Sequence, residues 1–167
     1  TMIQDIYGVD AGTASFLLLF IPVMNFMGIT LVGMIQRKRL LKEETLVVIM
    51  MVLSVFILAG LRVFMGKSLA AGVLLLGGVS AVMYGVNTIL LGVFPLRFAR
   101  ANRASFVSGL LDFCSYVAAG LSSVFSGLVI QLGLGWNSVF LVWLVLTVMG
   151  IWALGVFGWK YNRRQLQ

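Results

Sequence analysis

Five long apolar runs, separated by short segments that carry most of the charge, are the feature that most restricts how this chain can fold. A helix that crosses a bilayer needs about 20 predominantly apolar residues, and each run is long enough. In hydrocarbon the backbone polar groups must be paired within the segment, so each run is predicted to be an α-helix. The predicted spans cover residues 14–36, 45–65, 69–96, 104–131 and 136–158.

Composition favours a membrane protein over a soluble one. The 167 residues are 61% hydrophobic and only 10% are charged, against roughly 25% in soluble domains. A soluble protein of this size has too little interior to bury so much apolar surface. The predicted fold class is therefore an all-α membrane protein, with five transmembrane helices that form a single transmembrane domain over residues 1–167.

The residue types exclude several kinds of chemistry. With no His and a single Cys, Cys114, the chain cannot build a Ser-His-Asp or Cys-His nucleophile or an internal disulfide. No metal site, cofactor site or enzymatic acid–base pair is expected. The net charge of +7 falls in short clusters between apolar runs, which fits membrane topology better than nucleic-acid binding.

The basic residues predict an orientation. With five spans, the first loop, the third loop and the C-terminal tail lie on one side, while Arg62 and Lys67 lie on the other. Cytoplasmic loops carry an excess of Lys and Arg, so we expect a cell-membrane protein with the C-terminus cytoplasmic and the N-terminus outside. The bases on the predicted cytoplasmic side are Arg37, Lys38, Arg39, Lys42, Arg97, Arg100, Arg103, Lys160, Arg163 and Arg164.

Asp112 is the one acid that lies inside an apolar run. A charged carboxylate in the membrane costs about 3 kcal/mol, and such residues usually face an interior path or a partner on another helix. Asp112 is thus either a lining or coupling group of a solute path, or a structural partner of a neighbouring helix. Small and polar residues around it recur at steps of three and four, which places one face of a helix inward: Ser105, Ser108, Asp112, Ser115, Ala119, Ser122 and Ser126.

Polar residues also occur near the centres of the first and third runs. Asn25 follows Pro22, whose ring frees a backbone carbonyl and can bend the first helix. Tyr84 and Asn87 lie beside a seam of small residues that allows close helix packing. For each of Asn25, Tyr84 and Asn87, contact with a ligand and hydrogen bonding between helices are both open. The seam consists of Gly77 or Gly78, Ala81, Gly85, Thr88, Gly92 and Pro95.

Three runs thus bring polar groups to a similar depth, with Asp112 about one helical turn, or roughly 5 Å, nearer the cytoplasm. Secondary transporters bind their solutes where such groups meet at the midplane. The second and fifth runs carry few polar residues and are predicted to face lipid on most sides. The predicted substrate-binding residues are Asn25, Tyr84, Asn87, Asp112, Ser115 and Tyr116.

The stretch from Tyr84 to Trp136 resembles the tenth and eleventh helices of the major facilitator superfamily, closest to the organophosphate/sugar-phosphate permease branch. It carries a Tyr-Gly pair within a helix, then a Pro and a basic loop, then a helix rich in Gly, Ala and Ser that ends near Gly-Trp. The order of polar and apolar runs is similar to helices eight to twelve of that family. The matching positions are Tyr84, Gly85, Pro95, Gly109, Gly120, Gly133, Gly135 and Trp136.

The resemblance implies a portion of a secondary active transporter that works by alternating access on a small polar solute. It also implies a missing N-terminal half, because the family builds its site between two halves. A fragment within a lipid bilayer is therefore expected. Members of the branch bind phosphate with arginines, and no Arg lies at the predicted midplane here. The alternative is a truncated membrane interaction module without transport activity of its own.

Overall fold

The computed structural model describes residues 2–38 and 40–165, with side chains described as far as Val156. These residues are helical throughout, apart from short turns, and contain no strand. The elements are α1 (Met2–Tyr7), α2 (Ala11–Leu18), α3 (Phe20–Arg37), α4 (Glu43–Phe64), α5 (Leu69–Asn87), a π-helical segment (Thr88–Val93), a 3-10 segment (Phe94–Ala101), α6 (Ala104–Gln131) and α7 (Gly135–Gln165).

Five of these stretches are long and apolar enough to cross a membrane, so the predicted all-helical chain with five candidate spans is confirmed for the described residues. Some of them combine two or more helical elements, because α2 continues into α3 and α5 continues through the π-helical and 3-10 segments. The candidate spans are Ala11–Arg37, Glu43–Phe64, Leu69–Ala101, Ala104–Gln131 and Gly135–Val156.

The first crossing segment is interrupted where the sequence predicts a bend. Pro22 has no N–H to donate to the carbonyl four residues earlier, and its ring crowds that carbonyl. Accordingly α2 ends at Leu18, and the N–H of Leu19 donates to the carbonyl of Phe16 at 3.1 Å instead. Before α2, the side chain of Asp10 accepts hydrogen bonds from the hydroxyl and the N–H of Thr13, which lower the pKa of the Asp10 carboxyl.

The core lies between α4 and α5, with α3 and α7 on its flanks. One face of α4 is buried at steps of three and four residues, while its opposite face leaves Phe56 exposed. The prediction that the second run faces lipid on most sides is therefore wrong for this face. Apolar side chains pack equally well against lipid and against a helix, so polarity alone could not reveal it. The buried residues of α4 are Leu46, Val47, Met50, Ser54, Leu58 and Leu61.

Helices α3 and α5 approach each other closely along the predicted seam of small residues. A Cβ atom added at Gly28 would collide with the carbonyl oxygen of Ala81. One added at Gly85 would lie 2.8 Å from Cγ2 of Val32. At Gly28 the two backbones therefore meet directly, and at Gly85 the side chain of Val32 packs into the space that a Cβ atom would need. Gly92, by contrast, has open space where a Cβ atom would stand.

Polar contacts join neighbouring helical segments at the two opposite ends of the protein. At one end, the guanidinium of Arg97 pairs with Glu43 at 2.9 Å and with Glu44 at 2.7 Å, which joins the start of α4 to the 3-10 segment. At the other end, Nε of Arg62 donates to Oδ1 of Asn137 at 2.9 Å, which joins the end of α4 to the start of α7. Successive crossing segments therefore run in opposite directions, as a chain that crosses a membrane repeatedly requires.

We predict that Gly28→Ala destabilises the protein by about 1–3 kcal/mol, because the added methyl group must push α3 away from the backbone of α5. The matched control is Gly33→Ala on the same helix, where nothing lies within 4 Å of the added atom. That change should stabilise the helix slightly, by up to about 1 kcal/mol. Thermal unfolding in detergent measures both, and equal midpoints for the two variants would show that the close approach is absent.

Candidate functional site

A groove of about 810 Å³ runs between α6 on one side and α5 and α7 on the other. A second cavity of about 700 Å³ continues along α6 towards Gln131 and shares Ala119, Ser122 and Trp143 with the first. Together they form one groove along α6 from Asp112 to Gln131, called the α6 groove below. The first part is lined by Leu58, Val79, Met83, Tyr84, Val86, Asn87, Leu90, Leu91, Asp112, Ser115, Tyr116, Ala119, Ser122, Trp143, Leu146 and Thr147.

Most of the predicted substrate-binding residues meet on this groove. Tyr84 and Asn87 line it from α5, while Asp112, Ser115 and Tyr116 line it from α6. The stripe of small and polar residues on α6 therefore faces the groove at Asp112 and at the positions that follow it. That these side chains bind a solute stays a prediction.

Asn25 is the predicted site residue that does not line the α6 groove. It lies on α3, which packs against α5 through Gly28 and Ala81, whereas Tyr84 and Asn87 belong to a different face of α5. Its Oδ1 atom is buried and has no hydrogen-bond partner among the described residues. The sequence groups Asn25 with the groove residues by its depth along the helix. Depth does not determine which way a side chain points around the helix axis.

Four polar side chains on the groove have no hydrogen-bond or ion-pair partner in the described part of the protein. The side chains of Tyr84, Asn87, Asp112 and Tyr116 make no hydrogen bond or ion pair with any described residue. Ser115 donates to the Leu111 carbonyl of its own helix at 2.9 Å. Polar groups at membrane depth require a partner, and water or a solute in the groove can supply it. Of the two roles for Asp112, the described contacts therefore favour lining the groove.

The end of α6 near Ala104 is held by an irregular stretch that Pro95 creates. Pro95 cannot donate to the carbonyl of Leu91, so the α-helix gives way to the π-helical and 3-10 segments. The hydroxyl of Ser108 on α6 lies 3.5 Å from the carbonyl oxygen of Leu91 that is freed in this way. Leu91 also lines the groove, so the irregular stretch borders the groove at this end.

The other end of α6 is tied directly to α7. The connecting turn contains Gly133 with φ +74 and Gly135 with φ +70, a left-handed conformation that glycine adopts without strain. Between its two attached ends α6 is almost unburied, with Val129 its one buried residue. The groove exists because α6 is fixed at both ends and separate from α5 and α7 in the middle.

Sequence reasoning missed the contribution of α7 to the groove. Trp143 and Thr147 are four residues apart on one face, and the hydroxyl of Thr147 donates to the carbonyl of Trp143 at 2.8 Å. The ring of Trp143 packs edge-on against buried Phe140, with 5.9 Å between the ring centroids. The fifth run, predicted to face lipid on most sides, thus turns this one face to the groove. Thr147, an isolated polar residue, was the signal that could have revealed it.

The described residues define an all-helical protein with five helices long and apolar enough to cross a membrane, the pattern of a multi-pass membrane protein. No family model, curated protein or solved structure matches the chain. The resemblance to helices eight to twelve of the major facilitator superfamily therefore stays a prediction.

We predict that Asn25→Leu raises the stability of the protein by about 1 kcal/mol, because it removes a buried amide oxygen that lacks a partner. The matched control is Asn87→Leu, which replaces an exposed amide on the groove and should change stability by less than about 0.5 kcal/mol. Thermal unfolding in detergent is the measurement. A clear loss of stability in Asn25→Leu would mean that this amide has a structural partner.

Proposed function

We propose that the chain is part of a secondary active transporter for a small polar solute, and that the α6 groove is a wall of its solute path. The observation that carries the proposal is the meeting of Tyr84, Asn87, Asp112 and Tyr116 on one groove without a partner in the described residues. Retaining an acid inside a candidate span is costly unless it faces a path or a partner. Transporters place their solute sites between helices at this depth.

The exposed surfaces of two candidate spans support the proposal that a second set of helices packs against this chain. Two of the five candidate spans, Ala11–Arg37 and Ala104–Gln131, are the least buried, each with 6% of its most apolar stretch buried inside the protein. Both also carry small or polar residues among their exposed positions, such as Thr30 on α3 and Gly120 on α6. A second half packed against these exposed helices would enclose the solute path, and movement between the halves would give alternating access.

The proposed location is the cell membrane, with the C-terminus in the cytoplasm and the N-terminus outside. Arg97 and the start of α4 lie at one end of the helices, and Arg62 lies at the other. Of the bases that support this orientation, Arg39, Lys160, Arg163 and Arg164 lie outside the residues whose side chains are described. The proposal therefore rests on the distribution of bases along the sequence.

Labelling of single cysteines in intact cells tests the orientation. In a Cys114→Ser background, Lys67→Cys should react with a membrane-impermeant thiol reagent, and Arg100→Cys should react only after the membrane is permeabilised. Lys67 is exposed in the loop between α4 and α5, and Arg100 is exposed near the end of the 3-10 segment. A difference in burial therefore cannot explain a difference in labelling. Reaction of both cysteines in intact cells would contradict the proposed orientation.

Labelling within the groove tests the solute path itself. In the Cys114→Ser background, Ser115→Cys lies on the groove, while Phe113→Cys lies on the outer face of the same helix, where Phe113 is 65% exposed. A thiol in water reacts with charged thiosulfonate reagents, and a thiol in lipid does not, because only the thiolate is the nucleophile. We expect Ser115→Cys to react at least tenfold faster than Phe113→Cys, an estimate from the loss of ionisation in lipid.

Alternating access also predicts how the Ser115→Cys variant is labelled from each side of the membrane. Ser115→Cys should react with a membrane-impermeant reagent from either side, in intact cells and in inverted vesicles. Reaction from one side only would favour a closed cavity over a transport path. No reaction from either side would contradict a water-filled groove and favour a membrane interaction module in which a partner helix fills it.

A further inference from the structure

The α6 groove carries one formal charge, and that charge is negative. Asp112 is the one acid among the lining residues, and no Lys or Arg among the side chains that the structure describes lines either part of the groove. Two bases near its ends are already engaged, Arg97 with two glutamates and Arg62 with Asn137. A groove with this balance attracts cations and repels anions, most strongly where lipid and protein lower the dielectric constant.

Aromatic side chains line the same groove. Tyr84 lines it from α5, and Tyr116 lies one helical turn from Asp112 on α6, while Trp143 of α7 lies further along the groove with Ala119 and Ser122. Packing against Phe140 restrains the ring of Trp143. The faces of such rings attract positive charge, and they favour bulky, weakly hydrated cations such as quaternary ammonium groups. A small metal ion would instead require several oxygen ligands from the protein, and the described residues hold no cluster of acids.

We propose that the solute of the α6 groove is a monovalent organic cation, with its ammonium group beside the Asp112 carboxylate and its carbon groups against Tyr84 and Tyr116. This inference rests on the proposed function, because it assigns a substrate class to the same path. It differs from what the resemblance to organophosphate permeases implies, since an organic phosphate would meet the Asp112 carboxylate without any basic partner in the groove. Asn87 and Ser115 supply neutral polar groups that orient the rest of the solute.

Charge selectivity at Ser115→Cys tests the inference without knowledge of the natural solute. The variant, in the Cys114→Ser background, is treated with a cationic trimethylammonium thiosulfonate and with an anionic sulfonate analogue. Each rate is divided by the rate of the same reagent with a free thiol in water. Position 115 is one turn from Asp112, so the carboxylate should raise the cation-to-anion ratio by roughly tenfold. Asp112→Asn should remove this preference, and Asp112→Glu should retain it.

Leu132→Cys is the matched control for charge on the protein and membrane surface. Leu132 is 74% exposed beyond the end of α6 and does not line the groove, so its ratio should not respond to Asp112→Asn. A ratio at Ser115→Cys that is equal for the two reagents, or that favours the anion, would overturn the cation proposal while leaving a water-filled groove intact. Failure of both reagents to react would overturn the solute path and this inference together.

Protection by a small cation provides a test that needs no change at Asp112. Choline should slow the labelling of Ser115→Cys in a saturable way, while its uncharged carbon isostere, dimethylbutanol, and glucose phosphate should not. Tyr116→Leu should weaken protection by choline about fivefold, and Tyr116→Phe less, because a ring face remains. Protection by glucose phosphate but not by choline would assign the groove to an anion and overturn the proposal.

Discussion

The architecture follows from the requirement that polar groups within a bilayer find partners inside the protein. Continuous helices meet this requirement for the backbone, which is why the five apolar runs fold as they do. The two prolines are the exceptions, since each frees a carbonyl. Before Pro22 the α-helical hydrogen bonding is interrupted at Leu19, and the chain continues as α3. At Pro95 the helix becomes irregular, and Ser108 of α6 approaches the freed carbonyl of Leu91.

The same requirement for polar partners applies to the side chains that line the groove. Helix α6 is attached at its two ends and has little contact with the bundle between them, so its polar stripe faces an open channel. Asp112 and Asn87 have no partners among the described residues, and at membrane depth that arrangement is stable only if water, a solute or a partner helix completes it. The close backbone approach of α3 and α5 supports the arrangement from behind, because it fixes the helix that carries Tyr84 and Asn87.

Sequence patterns predicted those features that depend on length and period. The five spans follow from the length of the apolar runs, and the inward stripe that includes Asp112 and Ser115 follows from steps of three and four residues. Rotation of one helix about its axis relative to another depends on packing, which no single run encodes. Asn25, predicted to share one surface with Tyr84 and Asn87, therefore does not line the groove. Trp143 was missed because an apolar ring fits lipid, a core or a solute site equally well.

Water contact along α6 tests the central claim most directly. Nitroxide labels placed singly from residue 112 to residue 126, in bilayers hydrated with D2O, report nearby deuterium through the modulation of the electron spin echo. The account predicts a helical period in water contact, strong on the groove face and weak on the outer face. Strong signals are expected at Ser115, Ala119, Ser122 and Ser126, and weak signals at Phe113, Val117, Leu121 and Val124. Strong signals on the second set, or no period at all, would contradict a water-filled groove behind α6.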